Sequence, residues 1–515
     1  MFQNSSSEVS ILPMDEHNQK LVNYVHPADW LNPQPQDCYD LVVIGGGTAG
    51  LVVAAGAAGL DIGLKVALVE KHLMGGDCLN FGCIPSKCLI RSSRIIGEIE
   101  KAKKLGIDIG DTRVDFARVM TRMRQIRADI SHHDSVQRFQ KLGIDVFLGS
   151  ARFLGQNAVE VAGKTLAYKK AVIATGAGAF HPDIPGLKEA GFYTNETIFS
   201  LTELPPRLAV IGGGPIGCEL AQAFQRLGAQ VILFHNYSHL LNKEDPEAAE
   251  IIENTFLREG MQLILSCQIE RVTKNERGKT IEYTSNGQGA TITVDEILVA
   301  AGREPNVSGL NLEAVAVEYD TRRGVKVNDY LQTTNPKIYA AGDICLDWKF
   351  THAADAAARI VIKNTLFSPF GFGRDKLSNL VMPWVTYTDP EIAHVGMDET
   401  QAQARGLATN TIKIPLSIVD RAITDGETAG FLKIIHKQGS DQILGATIVA
   451  AHAGEMISEI TTAMVAKIGL SKLSMVIHPY PTQAEAIKKA ADAYRRTLLT
   501  PNSKKLLELL TKLSR

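Results

Sequence analysis

Residues 41–50, LVVIGGGTAG, decide how this chain begins to fold. An apolar, β-branched run stops at three consecutive glycines, and an Ala/Gly-rich stretch follows, so a buried strand, a tight turn and a helix are expected. The spacing Gly45-x-Gly47-x-x-Gly50 lets the backbone approach a pyrophosphate at the helix N-terminus, where N–H groups are unpaired. The next strand ends in Glu70, which can accept hydrogen bonds from both ribose hydroxyls. These features predict a dinucleotide site.

Residues 208–217, LAVIGGGPIG, repeat this layout. Their glycines follow the same spacing, at Gly212, Gly214 and Gly217, and the following strand ends in His235. His235 puts no carboxylate where it would repel a 2′-phosphate, so two different dinucleotides are implied. A purely structural βαβ turn is the competing interpretation of each glycine fingerprint.

Three further apolar runs end in small residues that can approach a cofactor. They end at Thr175-Gly176, at Gly302 and at Asp343. Asp343 precedes an Ala-rich stretch and can hydrogen-bond a cofactor hydroxyl, although the same local pattern fits an ordinary helix cap.

Residues 75–87, GGDCLNFGCIPSK, carry the residues for chemistry. Cys78 and Cys83 are five apart and cannot lie directly above one another on a regular helix, but a loosened turn brings them into bonding geometry. The interpretation that gives this cysteine pair a chemical function is a redox disulfide. Two buried thiols, or half of a zinc site with only His72 and Cys88 nearby, are the alternatives.

Length, net charge and cysteine content limit the classes of protein to which this chain can belong. The 515 residues predict three or four domains, and a net charge of −2 argues against binding to nucleic acid or an anionic membrane. The apolar run 41–60 is long enough for a membrane span, but its glycines divide it. Seven cysteines are too few for a secreted disulfide scaffold. Residues 1–38 lack a secretory signal pattern and are predicted to form a surface extension. We therefore expect a cytoplasmic protein without membrane or nucleic-acid partners.

In this order, from about Tyr39 to about Ala491, the motifs resemble the class I pyridine nucleotide–disulfide oxidoreductases, the family of dihydrolipoamide dehydrogenase, glutathione reductase and mercuric reductase. The resemblance implies an α/β fold with two Rossmann-like dinucleotide-binding domains and an α+β C-terminal dimerisation domain. It also implies a homodimer with active sites shared between subunits. We expect an N-terminal extension (1–38), an FAD-binding domain in two parts (39–190 and 316–382), an NAD(P)H-binding domain between those parts (191–315) and an interface domain (383–515).

The resemblance also implies a role for each site residue. Cys83 is expected next to the flavin, Cys78 as the interchange thiol, and Lys87 and Glu219 as an ion pair beside the flavin ring. A surface lysine and an ordinary helical glutamate are the alternative for that pair. The remaining expected contacts are those of FAD, with Gly45, Gly47, Gly50, Glu70 and Asp343, and those of the nicotinamide nucleotide, with Gly212, Gly214, Gly217 and His235. Further cofactor-binding residues are expected at Gly76, Thr175, Gly176 and Gly302.

The segment 478–485, HPYPTQAE, bears on the substrate. The family's thiol and disulfide enzymes carry His-Pro-Thr-x-x-Glu here, with the histidine as acid/base for the partner subunit's interchange thiol. Aligning the Pro-Thr pair and Glu485 puts Tyr480 at the histidine's position, whereas His478 lies two residues away. Tyrosine at this place resembles mercuric reductases, and a phenol is a poor proton shuttle at neutral pH. The cysteine pair that ends typical mercuric reductases is absent, as is their N-terminal metal-binding domain.

We therefore expect an FAD-dependent oxidoreductase that passes electrons from NADPH through FAD and the Cys78–Cys83 disulfide to a soft metal ion, Hg(II) to Hg(0). Hg(II) is expected to bind both sulfurs transiently as substrate, delivered by small thiols or as metal–thiol complexes. NADPH is favoured over NADH because of His235, although the usual arginines for a 2′-phosphate are missing. The alternatives are a dihydrolipoamide dehydrogenase or glutathione-reductase-like enzyme, and a flavin-based redox sensor.

Overall fold

The computed structural model describes residues 11–514. Its first element is α1 (Glu16–Val25), which begins where the Asp15 side chain accepts a hydrogen bond from the N–H of Asn18. Leu21 and Val25, one helical turn apart, are both fully buried. The stretch predicted as a surface extension therefore packs an apolar helix face against the rest of the protein.

The first glycine turn lies in a mixed sheet. Strands β3, β2, β1 and β6 run parallel in that order, and β5 and β4 continue the sheet antiparallel. The order 3-2-1 is that of a dinucleotide-binding unit, in which ligands bind beyond the carboxyl ends of the strands. The elements are β1 (Tyr39–Ile44), α2 (Thr48–Ala58), β2 (Val66–Glu70), α3 (Gly76–Asn80), α4 (Cys83–Ala102), α5 (Phe116–Ile130), α6 (Val136–Lys141), β3 (Ile144–Leu148), β4 (Ala151–Gly155), β5 (Ala158–Val161), β6 (Lys164–Ile173), β7 (Ala177–Ala179) and α7 (Leu187–Ala190).

The second glycine turn lies in a smaller parallel sheet of strands β10, β9, β8 and β14, which repeats the 3-2-1 order. Strands β11, β12 and β13 form an antiparallel sheet, and β15 pairs back with β7 of the preceding region. The elements are β8 (Arg207–Ile211), α8 (Pro215–Arg226), β9 (Gln230–Phe234), α9 (Pro246–Arg258), β10 (Gln262–Ile264), β11 (Cys267–Asn275), β12 (Gly278–Ser285), β13 (Gln288–Val294), β14 (Glu296–Val299) and β15 (Arg303–Pro305).

The chain then returns to the first sheet. Strand β18 pairs in parallel with β6, with Ile338 opposite Ala171. The long helix that follows packs on α2, and its Ile362 side chain lies where a Cβ on Gly56 would be. The two parts of the first region therefore share one core. The elements are β16 (Tyr319–Asp320), β17 (Gly324–Val325), β18 (Ile338–Ala340) and α10 (Thr351–Leu366).

The C-terminal region is an antiparallel sheet in the order β19-β20-β23-β22-β21, covered by helices. Helices α13 and α15 bury apolar faces, whereas α16 buries none of its described residues. No helix within residues 11–514 is both long and apolar enough to cross a bilayer. The elements are β19 (Pro383–Thr386), β20 (Glu391–Gly396), α11 (Glu399–Ala404), β21 (Thr409–Pro415), α12 (Asp420–Thr424), β22 (Phe431–Lys437), β23 (Ile443–Ala450), α13 (Ala453–Val465), α14 (Leu470–Leu473), α15 (Glu485–Thr497) and α16 (Pro501–Leu513).

Candidate redox and dinucleotide-binding site

The first glycine turn admits no side chain at two of its positions. A Cβ on Gly45, which has φ +112°, would lie 2.3 Å from the Ala174 carbonyl oxygen, and one on Gly50 would lie 1.8 Å from the Gly45 oxygen. Gly47 is the N-cap of α2, so this helix has no side-chain cap, and its first turn has no acidic residue. The N–H groups of this helix end therefore remain available to an anion.

The second turn has nearly the same geometry. Gly212 has φ +118°, its Cβ would lie 2.4 Å from the Ala300 oxygen, and a Cβ on Gly217 would lie 1.8 Å from the Gly212 oxygen. Gly214 begins α8, again without a side-chain cap, and faces open space. Both helix ends therefore suit a pyrophosphate.

The strand ends differ in the group that faces the turn. Glu70 accepts hydrogen bonds from the N–H groups of Gly46 and His72, each at 2.6 Å. Burial raises the pKa of its carboxyl, and the two N–H donors oppose that rise. Glu70 thus anchors the chain segment that leads toward the cysteines while remaining at the edge of the first turn.

His235 takes the corresponding place in the second unit. Its Nδ1 accepts a hydrogen bond from the N–H of Gly213 at 3.1 Å, and burial lowers its pKa. The ring is therefore neutral at pH 7, and with Nδ1 as acceptor its proton is on Nε2. That buried Nε2 has no hydrogen-bond partner within residues 11–514.

Further predicted cofactor residues surround the two turns. A Cβ on Gly76 would lie 2.6 Å from Cα of Gly47, so the cysteine segment passes directly over the first turn. Thr175 donates to the Asn306 carbonyl at 3.0 Å. Gly176 and Gly302 both have positive φ, +67° and +130°, and a Cβ on either would meet no atom closer than 3.9 Å.

Asp343 lies in a charged cluster that the sequence did not reveal. The Nε of Arg303 lies 3.3 Å from Asp343, and its Nη1 donates to Asp77 at 2.7 Å. Burial raises the pKa of Asp343, and the Arg303 charge opposes that rise. Asp343 therefore follows strand β18 as expected and pairs with an arginine, and it is not the cap of the next helix, because α10 begins at Thr351 with Phe350 as its N-cap.

The two cysteines lie on consecutive helices. Cys78 is on α3 and Cys83 is the first residue of α4, with Phe81 and Gly82 breaking the helical path between them. The predicted loosened turn is thus a complete helix break. Cys83 Sγ lies 3.2 Å from the hydroxyl of Thr351, the first residue of α10.

The two thiols have opposite acidities. The hydrogen bond from Cys78 lowers the pKa of Cys83 to about 6, with further stabilisation from Thr351 and the Lys87 charge, against the effect of burial. The same hydrogen bond and burial raise the pKa of Cys78. At neutral pH, Cys83 is therefore the thiolate and Cys78 the thiol of the reduced pair.

Lys87 and Glu219 meet beside this pair. Lys87 Nζ donates to Glu219 at 2.7 Å and lies 4.6 Å from the centre of the Tyr387 ring. Glu219 also accepts from the N–H of Tyr387 at 2.9 Å. Burial opposes the Lys87 charge, but the ion pair outweighs it and raises the pKa of Lys87. The structure thus brings a fixed positive charge to the Cys83 side of the pair.

The segment around Tyr480 is organised by the C-terminal region itself. Tyr480 is 72% exposed, and its hydroxyl donates to Asp420 at 2.9 Å, which raises the phenol pKa. His478 keeps only 5% of its side chain exposed and pairs with Glu459 at 2.9 Å. Glu485 pairs with Lys489 at 3.2 Å, while its Oε2 is buried without a partner among the described residues.

Sequence reasoning missed four residues at these sites. Thr351 lies two residues before the Ala-rich stretch that follows Asp343, so it was within reach, whereas Tyr387 lies in the segment TYTDP (386–390), which the motif analysis did not use to locate the site. Arg303 and Asp420 had no local signal, because their partners lie far away in the chain.

Comparisons with known proteins cover almost the whole of this arrangement. The family model "Pyridine nucleotide-disulphide oxidoreductase" matches residues 39–358, and its dimerisation domain matches residues 382–491. A mercuric reductase of Lysinibacillus sphaericus is 35% identical over 456 residues, covering 88% of this chain and 82% of the relative. A dihydrolipoyl dehydrogenase of Chlamydia muridarum is 33% identical over 465 residues, covering 88% and 96%.

Solved structures agree with these relatives. The HOCl-induced flavoprotein disulfide reductase RclA from Escherichia coli matches with a TM-score of 0.78 and 29% identity, covering 88% of this chain and 99% of that one, and it also matches as a Cu(II) complex. The predicted α/β fold is thereby confirmed. The family implies FAD and a pyridine nucleotide as cofactors, and the dimerisation domain suggests a homodimer. With both family models matched in order, this chain belongs to the class I pyridine nucleotide–disulfide oxidoreductases.

Proposed function

We propose that this protein is an FAD-dependent reductase that passes electrons from NADPH, through FAD and the Cys78–Cys83 pair, to a soft metal ion, with Hg(II) reduced to Hg(0). The observation that carries the proposal is the exposed Tyr480 phenol, hydrogen-bonded to Asp420, at the place where the family's disulfide reductases carry a histidine. An intact redox pair beside Lys87 and Glu219 accompanies it. The similarity to mercuric reductases supports the same substrate.

The proposal keeps the division of the chain expected from its motifs. The chain leaves the first sheet after β6 and returns to it in β18, which supports a first domain in two parts. The outermost residues, 1–10 and 515, lie outside the described residues. The proposed ranges are 39–190 with 316–382 for FAD, 191–315 for the nucleotide and 383–515 for the interface.

The first glycine turn fits FAD. The uncapped N-terminus of α2, the close approach of Gly76 to Gly47 and the Glu70 carboxylate would hold its pyrophosphate and ribose. FAD bound here supplies two-electron exchange between the nicotinamide and the cysteine pair. Asp343 would hydrogen-bond a hydroxyl of the cofactor, and Arg303 pairs with both Asp343 and Asp77.

The second turn fits NADPH through hydrogen bonding rather than charge. His235 ends the strand that faces the adenosine ribose in this fold, and its buried Nε2–H has no partner among the described residues, so it could reach a nucleotide only after the side chains that cover it move. A neutral N–H can donate to a 2′-phosphate oxygen, whereas a carboxylate at this place would repel it. Lys243, exposed on the segment that follows, is the candidate for a charged contact.

The cysteine pair supplies the site for the metal. Among residues 11–514 no cluster of three or more His, Cys, Asp or Glu side chains is placed to hold a metal, so Hg(II) would rest on the two sulfurs. A sulfur binds Hg(II) as a thiolate. Cys83 is already a thiolate and releases no proton, whereas Cys78 is a thiol and releases one proton when its Hg–S bond forms. Two electrons from NADPH then convert Hg(II) to Hg(0), and both sulfurs leave as thiolates.

Tyr480 and Asp420 favour a metal over a disulfide substrate. The hydrogen bond to Asp420 keeps the phenol protonated at neutral pH, so it donates hydrogen bonds but does not remove a proton from the interchange thiol. Disulfide exchange needs such a base because the pKa of Cys78 is raised. The runner-up function, lipoamide or glutathione disulfide reduction, would need His478, which pairs with Glu459, to act as the base in place of Tyr480.

The test compares substrates on the FAD-containing enzyme with NADPH under anaerobic conditions. Hg(II) with excess small thiol, lipoamide, glutathione disulfide and Cu(II) are supplied in parallel, the last because of the Cu(II) complex of RclA. We expect Hg(II)-dependent NADPH oxidation to exceed both disulfide activities by at least about tenfold. Equal or larger lipoamide or glutathione activity would overturn the proposal, and a flavin that NADPH does not reduce within minutes would support the redox sensor instead.

A further inference from the structure

The segment that precedes the family match contacts the cysteine loop. Family similarity begins at residue 39, yet α1 and its flanks pack on α5 and on the chain between Glu70 and Asn80. The Val25 carbonyl accepts from the N–H of Met74 at 3.2 Å, and His26 Nδ1 hydrogen-bonds the His72 carbonyl. The extension is therefore attached to the segment that carries Cys78.

The central contact of this attachment is a fully buried arginine on α5. Arg127 is 1% exposed, and its guanidinium donates to Asn18 Oδ1 at 2.6 Å and to the Asn80 carbonyl at 2.7 Å. Burial lowers the pKa of Arg127 to about 10, which still leaves it charged at neutral pH. Asn18 is itself fully buried and donates to the Pro13 carbonyl at 2.7 Å.

Asn80 holds the backbone between the two cysteines. Its side-chain amide donates to the carbonyls of Met74 and Gly76, at 3.1 Å and 2.8 Å, and its own carbonyl receives Arg127. Asn80 ends α3, which carries Cys78, and α4 begins shortly afterwards at Cys83. A shift of the Asn80 carbonyl therefore changes the separation of the two sulfurs.

We propose that Asn18, acting through Arg127, is a positioning residue that holds the backbone between Cys78 and Cys83 in the conformation from which their disulfide forms. Without the Asn18 oxygen, N–H donors of the Arg127 guanidinium are buried without a partner. Because an unpaired buried charge is costly, the guanidinium then moves toward other acceptors or toward water. The Asn80 carbonyl then loses its fixed position, and the local concentration of one sulfur around the other falls. The inference rests on the redox pair of the proposed function.

The test measures the disulfide equilibrium in the FAD-containing enzyme with mixtures of reduced and oxidised dithiothreitol. In this exchange one reduced dithiothreitol gives two electrons to the Cys78–Cys83 disulfide and becomes one ring disulfide; of its two thiol protons one ends on Cys78 and one is released to solvent, because Cys83 is a thiolate at neutral pH. Rapid alkylation and mass spectrometry of the peptide that spans both cysteines give the equilibrium constant. We expect Asn18→Ala to weaken disulfide formation at least about threefold.

The matched control is Asn32→Ala in the same extension. Asn32 makes two hydrogen bonds with the backbone of Leu148 on β3, at 2.7 Å and 2.9 Å, and none with Arg127. We expect it to leave the equilibrium unchanged. Asn18→Ser, whose hydroxyl is too short to reach Arg127, serves as the second variant if Asn18→Ala does not fold, and circular dichroism verifies folding of each protein.

Two results would overturn the inference and are distinguishable. Equal constants for the wild type and the Asn18 variants, or equal shifts for Asn18 and Asn32 variants, would remove the positioning role while leaving the redox pair intact. A wild-type protein in which Cys78 and Cys83 never form a disulfide would remove the proposed function as well.

Discussion

The two glycine turns are nearly identical in backbone and different at their strand ends. Gly45 and Gly212 have φ of +112° and +118°, and a Cβ on either would collide with a carbonyl oxygen at 2.3 or 2.4 Å. At the strand ends, a carboxylate accepts from Gly46 in one unit and a neutral imidazole accepts from Gly213 in the other. The two units therefore share a backbone turn that suits a phosphate, and they differ in the side chain at the strand end, which in our proposal distinguishes the two nucleotides.

The segments after the strand ends also differ, and the largest predicted effect tests this difference. Beyond Glu70 the chain crosses the first turn and reaches the cysteines, so Cys78→Ser or Cys83→Ser should abolish metal reduction while FAD stays bound. Long-wavelength absorbance of a thiolate beside the flavin should survive Cys78→Ser and vanish in Cys83→Ser, because Cys83 is the low-pKa thiol. The reverse pattern of absorbance would show that the roles of the two sulfurs are exchanged.

Alanine at the helix-starting glycines tests whether the turns are separate sites. Gly214 faces open space, so Gly214→Ala should fold, yet its methyl group stands where a pyrophosphate must approach. We expect KM for NADPH to rise at least about tenfold with FAD content unchanged. Gly47→Ala, the matched variant, should instead lower FAD retention after dialysis. Loss of FAD from Gly214→Ala would show that the two turns do not act independently.

His235→Glu makes the second strand end resemble the first. The carboxylate can accept from Gly213, as Glu70 does from Gly46, but it repels a 2′-phosphate. The ratio of kcat/KM for NADPH to that for NADH should fall about tenfold, and His235→Gln, which stays uncharged, should change it less. An unaltered ratio in His235→Glu would place nucleotide choice elsewhere, and a wild-type preference for NADH would contradict the NADPH proposal.

Tyr480 variants test a smaller effect, at a site that neither turn provides. Tyr480→Phe should lower Hg(II) reduction several-fold because the hydrogen-bond donor is lost, and Asp420→Asn should act in the same direction. Tyr480→His should raise disulfide reduction. If His478 is the base instead, His478→Ala removes disulfide activity and Tyr480→Phe changes little.

Mixed dimers of Cys78→Ser and Tyr480→Phe subunits should regain one intact site out of two. No recovery of activity after subunit exchange has been verified would argue against sites shared between subunits.

The smallest predicted effect is a shift in the titration of Cys83. The reduced pair should gain thiolate as pH rises through about 6, because the folded pKa lies below the ordinary thiol value. Lys87→Gln removes one stabilising charge, so the midpoint should move upward, by about one unit or less. Thiolate absorbance against pH measures both midpoints. A midpoint that stays in place would mean that the Cys78 hydrogen bond and Thr351 alone set the acidity.

Local spacing determined the parts of this protein whose geometry is local. Gly45 and Gly50 follow from a turn that excludes side chains, and the same spacing rule located Gly212 and Gly217 in the second unit. The strand ends at Glu70 and His235 followed from the apolar runs that precede them. Cys78 and Cys83 were singled out by their place just after the first glycine unit and by the family resemblance, whereas their spacing alone left two buried thiols or half of a zinc site open.

Tertiary structure alone decided which distant side chains complete the site. Thr351 reaches Cys83 across 268 positions, Arg303 reaches Asp77 across 226, and Arg127 joins Asn18 to Asn80. Residues so far apart meet only where helices and sheets pack, and no periodicity in the sequence records that packing. The extension shows the same limit: the sequence predicted only a surface extension, whereas Leu21 and Val25 are buried against a surface that only the folded chain creates.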